Sequence, residues 1–565
     1  PMSVRLVSKH GMFSRASLSV AMRSVSVGVP NIPTPYNEHL NTFLEGSIER
    51  NAIQAEIKAM RAEEHEIPLI INGEKIYTGD TAPIVCPFDK NSPLGVYHKA
   101  RPSDVKMAIE ANVEAQKEWA NLSVEERLSI FMRLSHKLGG KHYQRLNAAT
   151  VLGQGKNWLQ AEIDAKAEFV DFLRFNAKYA EDFGKEQPAS PPGIWNRMTY
   201  RPLEGFVYAI TPFNFSAIAG NLVCAPAMMG NVVLWKPSDS AILSGYVLMD
   251  EYLQAGMPAG VVSFVPGDPA MITDIALKHS ALAGVHYTGS SAVFREIFKN
   301  TAANMERYKT YPRIVGETGG KDFIFAHSSA RVEALSAAII RAGFEYAGQK
   351  CSACSRAYVP RSLWPELKTH LAKHHALLKV GPSTDPSVLV NAVIHQRSFD
   401  KCASYLKMAA ESKECEVLLG GGCSDSTGFF VEPTIVECSN PRHPLMVEEI
   451  FGPIVSIHVY EDEAFVETLR ECDQATEYSL TGSIFAQDIQ ATATAMKELE
   501  FSAGNFYIND KCTGSVVGQQ PFGGARSSGT NDKAGSSANL RRWVSPRSIK
   551  ENLYPTAEIL YPYME

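Results

Sequence analysis

The chain has 565 residues, 45% of them apolar and 21% charged, with 55 Lys plus Arg against 61 Asp plus Glu and a formal charge of −6. This is the composition of an ordinary globular protein with length for two or three domains of about 100–200 residues each, and it excludes a disordered, collagen-like or disulfide-stapled chain. The mild acidic balance and the lack of Lys/Arg runs give no electrostatic reason to expect a nucleic-acid partner.

Residues 1–37 hold four bases (Arg5, Lys9, Arg15, Arg23), seven serines and no acid. An Arg- and Ser-rich, acid-free start with interrupted apolar residues has the features of a mitochondrial transit peptide, not of a secretory signal. Residues 1–25 are therefore assigned as a leader, and the mitochondrial matrix is the expected location. Without residues 1–37 the chain carries 51 bases and 61 acids, a net charge near −10.

Next in the chain, residues 68–71 and 74–77 flank Asn72-Gly73, a pair suited to a type I′ hairpin turn because both central positions need positive φ. A helix is predicted over 103–120, with Val105, Ile109 and Val113 on one face. Another starts at the capping box Ser123-x-x-Glu126, and a third long helix runs over 158–183. Residues 205–235 contain no charge for 31 consecutive positions, more than the ~20 needed to span a bilayer. Pro212, Pro226 and Asn221 inside the run argue against a span. It reads instead as a buried strand (206–210), a helix (216–229) and a second buried strand (232–235). Strands at 261–265 and 285–287 alternate with helices at 241–254, at 270–278 and after Ser290, the pattern of a doubly wound parallel sheet with ligands at the carboxyl ends of its strands. A second α/β series runs over 323–508, so two α/β lobes divided near residue 316 are expected, with a cleft between them.

Ten cysteines in a long chain of intracellular type read as buried small residues or a reactive thiol. Cys351 and Cys354 form a C-x-x-C, but no second pair completes a zinc site, so no metal is expected. His374-His375 reads as exposed helix surface. No G-x-G-x-x-G follows a strand, and G-x-S-x-G and H-E-x-x-H do not occur. Gly320-Lys321 resembles the end of a P-loop, but Val315 and Asp322 stand where the first Gly and the Ser/Thr should be.

Six segments remain: Thr211 to Phe215 (TPFNF), Lys236 to Asp239 (KPSD), Tyr287 to Ser290 (YTGS), Gly316 to Lys321 (GETGGK), Gly348 to Ser352 (GQKCS) and Glu449 to Pro453 (EIFGP). In this order the set resembles the aldehyde dehydrogenase superfamily, over the chain from about residue 40 to its end. The resemblance implies a Rossmann-like NAD-binding domain (26–186 and 204–316), an α/β catalytic domain (317–503), and a small β oligomerisation arm with a C-terminal substrate-anchor segment (187–203 and 504–565).

It also implies roles. Cys351 is the nucleophile of a thiohemiacetal and thioester route, and thiols are the most reactive of the ordinary nucleophilic side chains. Asn214, with the Cys351 backbone N–H, provides the oxyanion site, and Glu317 is the base for the deacylating water. The cofactor is NAD. Lys236 and Asp239 would meet the adenosine ribose, Gly289 and Ser290 the pyrophosphate at a helix N-terminus, and Glu449 and Phe451 the nicotinamide ribose and ring. Asp239 favours NAD because a carboxylate repels a 2′-phosphate. Phe294 stands where the family often has the second Gly of Gly-x-x-x-x-Gly, so the pyrophosphate segment departs from the usual form.

The stretch from Asn505 to Ala525 is more specific. It resembles the family branch that oxidises L-glutamate γ-semialdehyde to L-glutamate in proline degradation. The expected substrate residues are Gly514, Ser515 and Ser352 on the α-carboxylate, Lys350 adding positive charge there, and Phe215 with Phe522 around the aliphatic middle. Another semialdehyde specificity, or a non-catalytic protein on this fold, is the alternative. Residues 194–200 and 541–548 are expected to pair as an extended arm in a homodimer.

Overall fold

The computed structural model describes residues 31–564; the leader expected over 1–25 lies outside them. Two seven-stranded sheets form the body of the molecule. In the first, Arg313–Glu317, Leu282–Thr288, Phe206–Ile210, Val232–Lys236 and Val262–Phe264 run parallel in that spatial order, and the hairpin Leu69–Ile71/Glu74–Ile76 closes one edge antiparallel. The hairpin register pairs Ile71 with Glu74 around Asn72 (φ 51°) and Gly73 (φ 77°), as a type I′ turn requires.

The uncharged run is the centre of this lobe. Phe206–Ile210, the helix Ser216–Met228 and Val232–Lys236 form a βαβ unit that is almost wholly buried, which is why its strands need no polar face. Pro226 is accommodated inside that helix. No helix among the described residues is long and apolar enough to cross a membrane.

The second sheet has the order Cys415–Leu419, Thr434–Cys438, Ile454–Tyr460, Cys354–Pro360, Asp322–Ala326, Thr481–Phe485, Asn505–Ile508. All neighbours are parallel except the edge pair Cys415–Leu419/Thr434–Cys438. The lobes part between Glu317 and Asp322. The expected boundary at 503 falls one strand short, because Asn505–Ile508 completes the second sheet.

Ser123 caps Val124–Gly139 with the reciprocal bond from Glu126, and Pro102–Trp119 lies within a residue of its prediction. The helix expected over 158–183 is continuous in space but changes hydrogen-bonding pattern. Trp158–Ala161 is α, Glu162–Glu168 is π and Phe169–Gly184 is α. The wider turn lets Asp164 accept the N–H groups of Ser216 (2.9 Å) and Ala217 (2.8 Å) at the start of the next helix, where a negative group is favoured.

Ile194–Pro202 and Val544–Asn552 form a separate two-stranded antiparallel ribbon, with Val544 opposite Pro202 and Asn552 opposite Ile194. The second strand begins three residues later than expected and extends further. His374 and His375 are half-buried instead of exposed: His374 Nδ1 meets Ser336 Oγ at 2.9 Å and His375 Nε2 meets the Pro433 carbonyl at 2.7 Å.

Candidate active site

The first sheet contributes the carboxyl ends of its strands to the cleft. Asn214 follows Phe206–Ile210, Lys236 ends Val232–Lys236, Ser290 follows Leu282–Thr288 and Glu317 ends Arg313–Glu317. The second sheet contributes its amino ends, whereas the first contributes the carboxyl ends expected of it. Gly319 and Gly320 precede Asp322–Ala326, Cys351 precedes Cys354–Pro360, and Glu449 precedes Ile454–Tyr460. The two sheets thus meet end to end at the site.

Cys351 is presented by a strained approach. Tyr346 (φ 53°), Ala347 (φ 51°) and Gly348 (φ 68°) are successively left-handed, a costly arrangement for residues with a Cβ and one found at functional sites. A Cβ on Gly348 would lie 2.3 Å from the Gly452 carbonyl oxygen. The adjacent Gly319-Gly320 turn is equally tight. A Cβ on Gly319 would meet Glu449 Oε2 at 2.4 Å, and one on Gly320 would meet the Cys351 carbonyl at 2.3 Å. Here the two glycines wedge Glu449 against the nucleophile loop, and Gly320 N–H donates to Glu449 Oε1 at 2.9 Å.

Burial pushes the Cys351 thiol well up, and the carboxylates of Glu317, Asp322, Glu449 and Glu168 add to it. Burial also raises Glu317 far above the usual carboxylate range, against the pull of Lys533; its Oε1 has no hydrogen-bond partner among the described residues. Burial in this site thus favours the protonated form of both groups. Asn214 is buried, and its Nδ2 donates to the Gln349 carbonyl at 3.1 Å, which ties it to the loop two residues before Cys351. Its second N–H is left for an oxyanion.

One cavity is lined by Cys351, Glu317, Lys350, Ser352, Gly514, Ser515, Phe215 and Phe522, so the expected nucleophile, the expected base and all the expected substrate residues share a single space. Details differ from expectation. The Lys350 ammonium is bonded to Glu345 Oε2 at 2.9 Å; although burial opposes it, this contact and nearby cations hold Glu345 down to about 2. Lys350 thus reaches the cavity largely neutralised. Lys511, which sequence reading missed, adds a second ammonium beside the anchor loop and donates to the Thr513 carbonyl at 3.1 Å. Ser352 Oγ lies 2.8 Å from Thr513 Oγ1, linking the nucleophile loop to the anchor loop. Gly514 has φ 94°, a conformation that turns the loop tightly at that point.

Phe215 is backed by a wholly buried ion pair. Lys156 Nζ is 2.8 Å from Asp164 Oδ2 and 3.7 Å from the centre of the Phe215 ring. Glu168, also missed, lines the cavity with its carboxyl raised by burial and by Asp164. Asp164 and Glu168 both come from the π segment, whose only sequence signal is acids in an otherwise amphipathic helix. The segment 31–45, which has no regular secondary structure, adds a clasp: Asn37 Nδ2 donates to Asp171 Oδ2 and to the Val517 carbonyl beyond the anchor loop, each at 2.8 Å.

The cofactor residues lie along the first sheet. Lys236 Nζ donates to Asp239 Oδ1 at 3.0 Å. Ser290 caps Ser291–Ala303, its Oγ accepting from Val293 N–H, and leaves further N–H groups of that helix terminus to face an anion. Phe294 stacks on Tyr287 at 5.4 Å and occupies the space over Gly316, where a Cβ would come within 2.1 Å of its ring. The large residue at the position of the missing glycine is therefore accommodated by the glycine of the neighbouring strand. Phe451, at φ 61°, packs edge-on against Phe213. The Lys236–Asp239 pair, the capped helix N-terminus at Ser290 and the Glu449 carboxylate near Cys351 are donors and acceptors of the kinds a dinucleotide needs.

These features are those of an aldehyde dehydrogenase. The model of the aldehyde dehydrogenase family matches residues 76–549, and the chain belongs to that family. It is 49% identical over 537 residues to the mitochondrial delta-1-pyrroline-5-carboxylate dehydrogenase of Dictyostelium discoideum, covering 94% of this chain and 96% of that one. It is 47% identical over 530 residues to the enzyme of that name from Homo sapiens, covering 94% of each. The crystal structure of the Mycobacterium tuberculosis delta-pyrroline-5-carboxylate dehydrogenase bound with NAD superposes with a TM-score of 0.93 at 44% identity, covering 96% of this chain and all of that one.

Proposed function

We propose that this chain oxidises L-glutamate γ-semialdehyde, the open form of 1-pyrroline-5-carboxylate, to L-glutamate with NAD in proline degradation. The observation that carries the reading is the single cavity joining Cys351 and Glu317 to the anchor residues Ser352, Gly514 and Ser515. Only an aldehyde with an anionic far end uses both halves of it.

In this reading the α-carboxylate is held by Ser515, the Gly514 N–H and the Ser352 hydroxyl, with Lys511 supplying the cation, and Phe215 and Phe522 flank the carbon chain. Cys351 releases its thiol proton to water, and the sulfur adds as thiolate to the aldehyde carbon. The developing oxyanion is met by Asn214 Nδ2–H and the Cys351 N–H, a type of donor worth roughly 3 kcal/mol of barrier. NAD, when bound, supplies the two-electron acceptor. Glu317, as carboxylate, then takes a proton from water as it attacks the thioester and passes it to the departing sulfur, releasing glutamate and the Cys351 thiol. Lys236, Asp239, Gly289, Ser290, Glu449 and Phe451 hold the cofactor. Among the described residues, 31–186 and 204–316 form the cofactor domain, and the second sheet forms the catalytic one.

The test is NADH formation with glutamate semialdehyde beside a panel of other aldehydes. Cys351→Ala is expected to lose activity by about 10⁴-fold or more, the scale on which nucleophile removal acts, while keeping its fold. Turnover by the variant equal to that of the native chain would remove Cys351 from its role, and a preference for a simple alkanal would overturn the substrate. We further infer a mitochondrial enzyme, in the matrix compartment, and a homodimer joined through the ribbon. Import into isolated mitochondria and sedimentation of the purified chain measure these directly.

A further inference from the structure

Away from the cleft, at the edge of the second sheet, Cys415, Cys438 and His443 cluster with their ligand-capable atoms all within 4.8 Å of one another. Cys415 lies directly opposite Cys438 in antiparallel register. The neighbouring ladder bond runs from Ser439 N–H to the Glu414 carbonyl, whereas Cys415 N–H turns back to Ser412. The two cysteines are thus a non-hydrogen-bonded pair, the type in which opposed Cα atoms come within about 4.5 Å and side chains are closest.

Their sulfurs are 3.5 Å apart and unbonded. Cys415 is half-buried on the edge strand and Cys438 is buried behind it. Both ring nitrogens of His443 lie 3.7 Å from the Cys415 sulfur. His443 Nδ1 accepts from Leu445 N–H at 3.2 Å as the cap of Pro444–Val447. With Nδ1 accepting, Nε2 is the ring nitrogen left to carry a proton beside the sulfur.

That same bond weighs against a metal. A ligating imidazole donates its free N–H to an acceptor, but Nδ1 here faces an N–H, so ligation through either nitrogen would sacrifice the cap. We propose that Cys415 and Cys438 are a peroxide-reactive thiol pair that closes to a disulfide across the sheet edge.

The Cys415 sulfur, as thiolate, attacks one oxygen of hydrogen peroxide. A sulfur–oxygen bond forms, the oxygen–oxygen bond breaks, and the departing hydroxide takes up the proton the thiol released, giving a sulfenic acid and water. The Cys438 sulfur then attacks the Cys415 sulfur. The sulfur–sulfur bond forms, hydroxide leaves, and the Cys438 proton makes it the second water. The peroxide is reduced by two electrons and the two thiols are oxidised by two. Because the residues already oppose one another, closing from 3.5 Å to a bond of about 2.05 Å takes side-chain rotation and small strand adjustment. Cys423, exposed and opposite Val431, is the internal contrast, since it has a valine where Cys415 has a resolving thiol.

The experiment uses the full chain, reduced, treated with chelator, desalted and exposed to hydrogen peroxide before alkylation and peptide mass analysis. The expected result is a cross-linked peptide pair containing Cys415 and Cys438, lighter by two hydrogens than the two reduced peptides. In Cys438→Ser, Cys415 is expected to accumulate as a sulfenic acid trapped by dimedone. His443→Asn, which retains a capping side chain, is expected to slow cross-linking several-fold. Both thiols still alkylated at a dose that consumes Cys423 would overturn the proposal. So would zinc bound stoichiometrically to the untreated chain, with the pair unreactive until chelation.

Discussion

Burial shifts Glu317 and Cys351 toward their protonated forms, which has consequences for stability as well as for rate. An acid raised above its ordinary value near 4.5 keeps its proton in the folded chain at a pH where the unfolded chain has lost it. The folded state then binds more protons, so stability falls as pH rises from about 4.5 through the raised value. Glu317→Gln removes this loss. Its thermal midpoint is expected to exceed that of the native chain by a margin that grows between pH 5 and pH 8, while thioester hydrolysis collapses. Parallel melting profiles would mean that Glu317 ionises as an ordinary carboxylate. Ser515→Ala is expected to raise KM for glutamate semialdehyde by about ten-fold, the cost of one hydrogen bond to a charged group, with little change for an alkanal. Equal effects on the two substrates would remove the anchor role.

At the scale of elements, the nucleophile loop is the point of greatest backbone strain. Gly348→Ala places a Cβ at positive φ and against the Gly452 carbonyl, so a stability loss of about 1–3 kcal/mol or more is expected, read as a lower urea midpoint with impaired turnover. An unchanged midpoint would mean that the loop relaxes freely. The elements most legible in the sequence were those with local chemistry at their ends. Asn72-Gly73 marked a turn, Ser123 with Glu126 a helix start, and the apolar runs at 206–210 and 232–235 buried strands. The π segment at Glu162–Glu168 was not legible. Its pattern differs from an α-helix by one residue per turn, and it is held by partners distant in sequence, Asp164 on Ser216 and Ala217 and Glu162 on Asn147. For the same reason Lys511 and Glu168 were missed: Lys511 lies inside the specific stretch from Asn505 to Ala525 and Glu168 in a long helix, but each enters the cavity only through long-range folding.

At the scale of the whole molecule, the ribbon of Ile194–Pro202 and Val544–Asn552 stands apart from both sheets, and a two-stranded ribbon alone is marginal in water. Trp195 is exposed on it, with Arg197 4.2 Å over its ring. A second copy covering this surface would supply the missing packing. Trp195→Glu is expected to shift the sedimenting species from dimer toward monomer without unfolding the chain; a native variant dimer would move the contact elsewhere.

By itself the sequence determined the family, the βαβ alternation and the residue types that carry the chemistry, because periodicity, turn residues and short motifs are local properties. Only the tertiary structure decided that the first sheet offers carboxyl ends and the second amino ends, that Glu345 takes up much of the Lys350 charge, and that Cys415 opposes Cys438. These depend on which distant segments become neighbours and how deeply they are buried, and burial is a property of the folded whole.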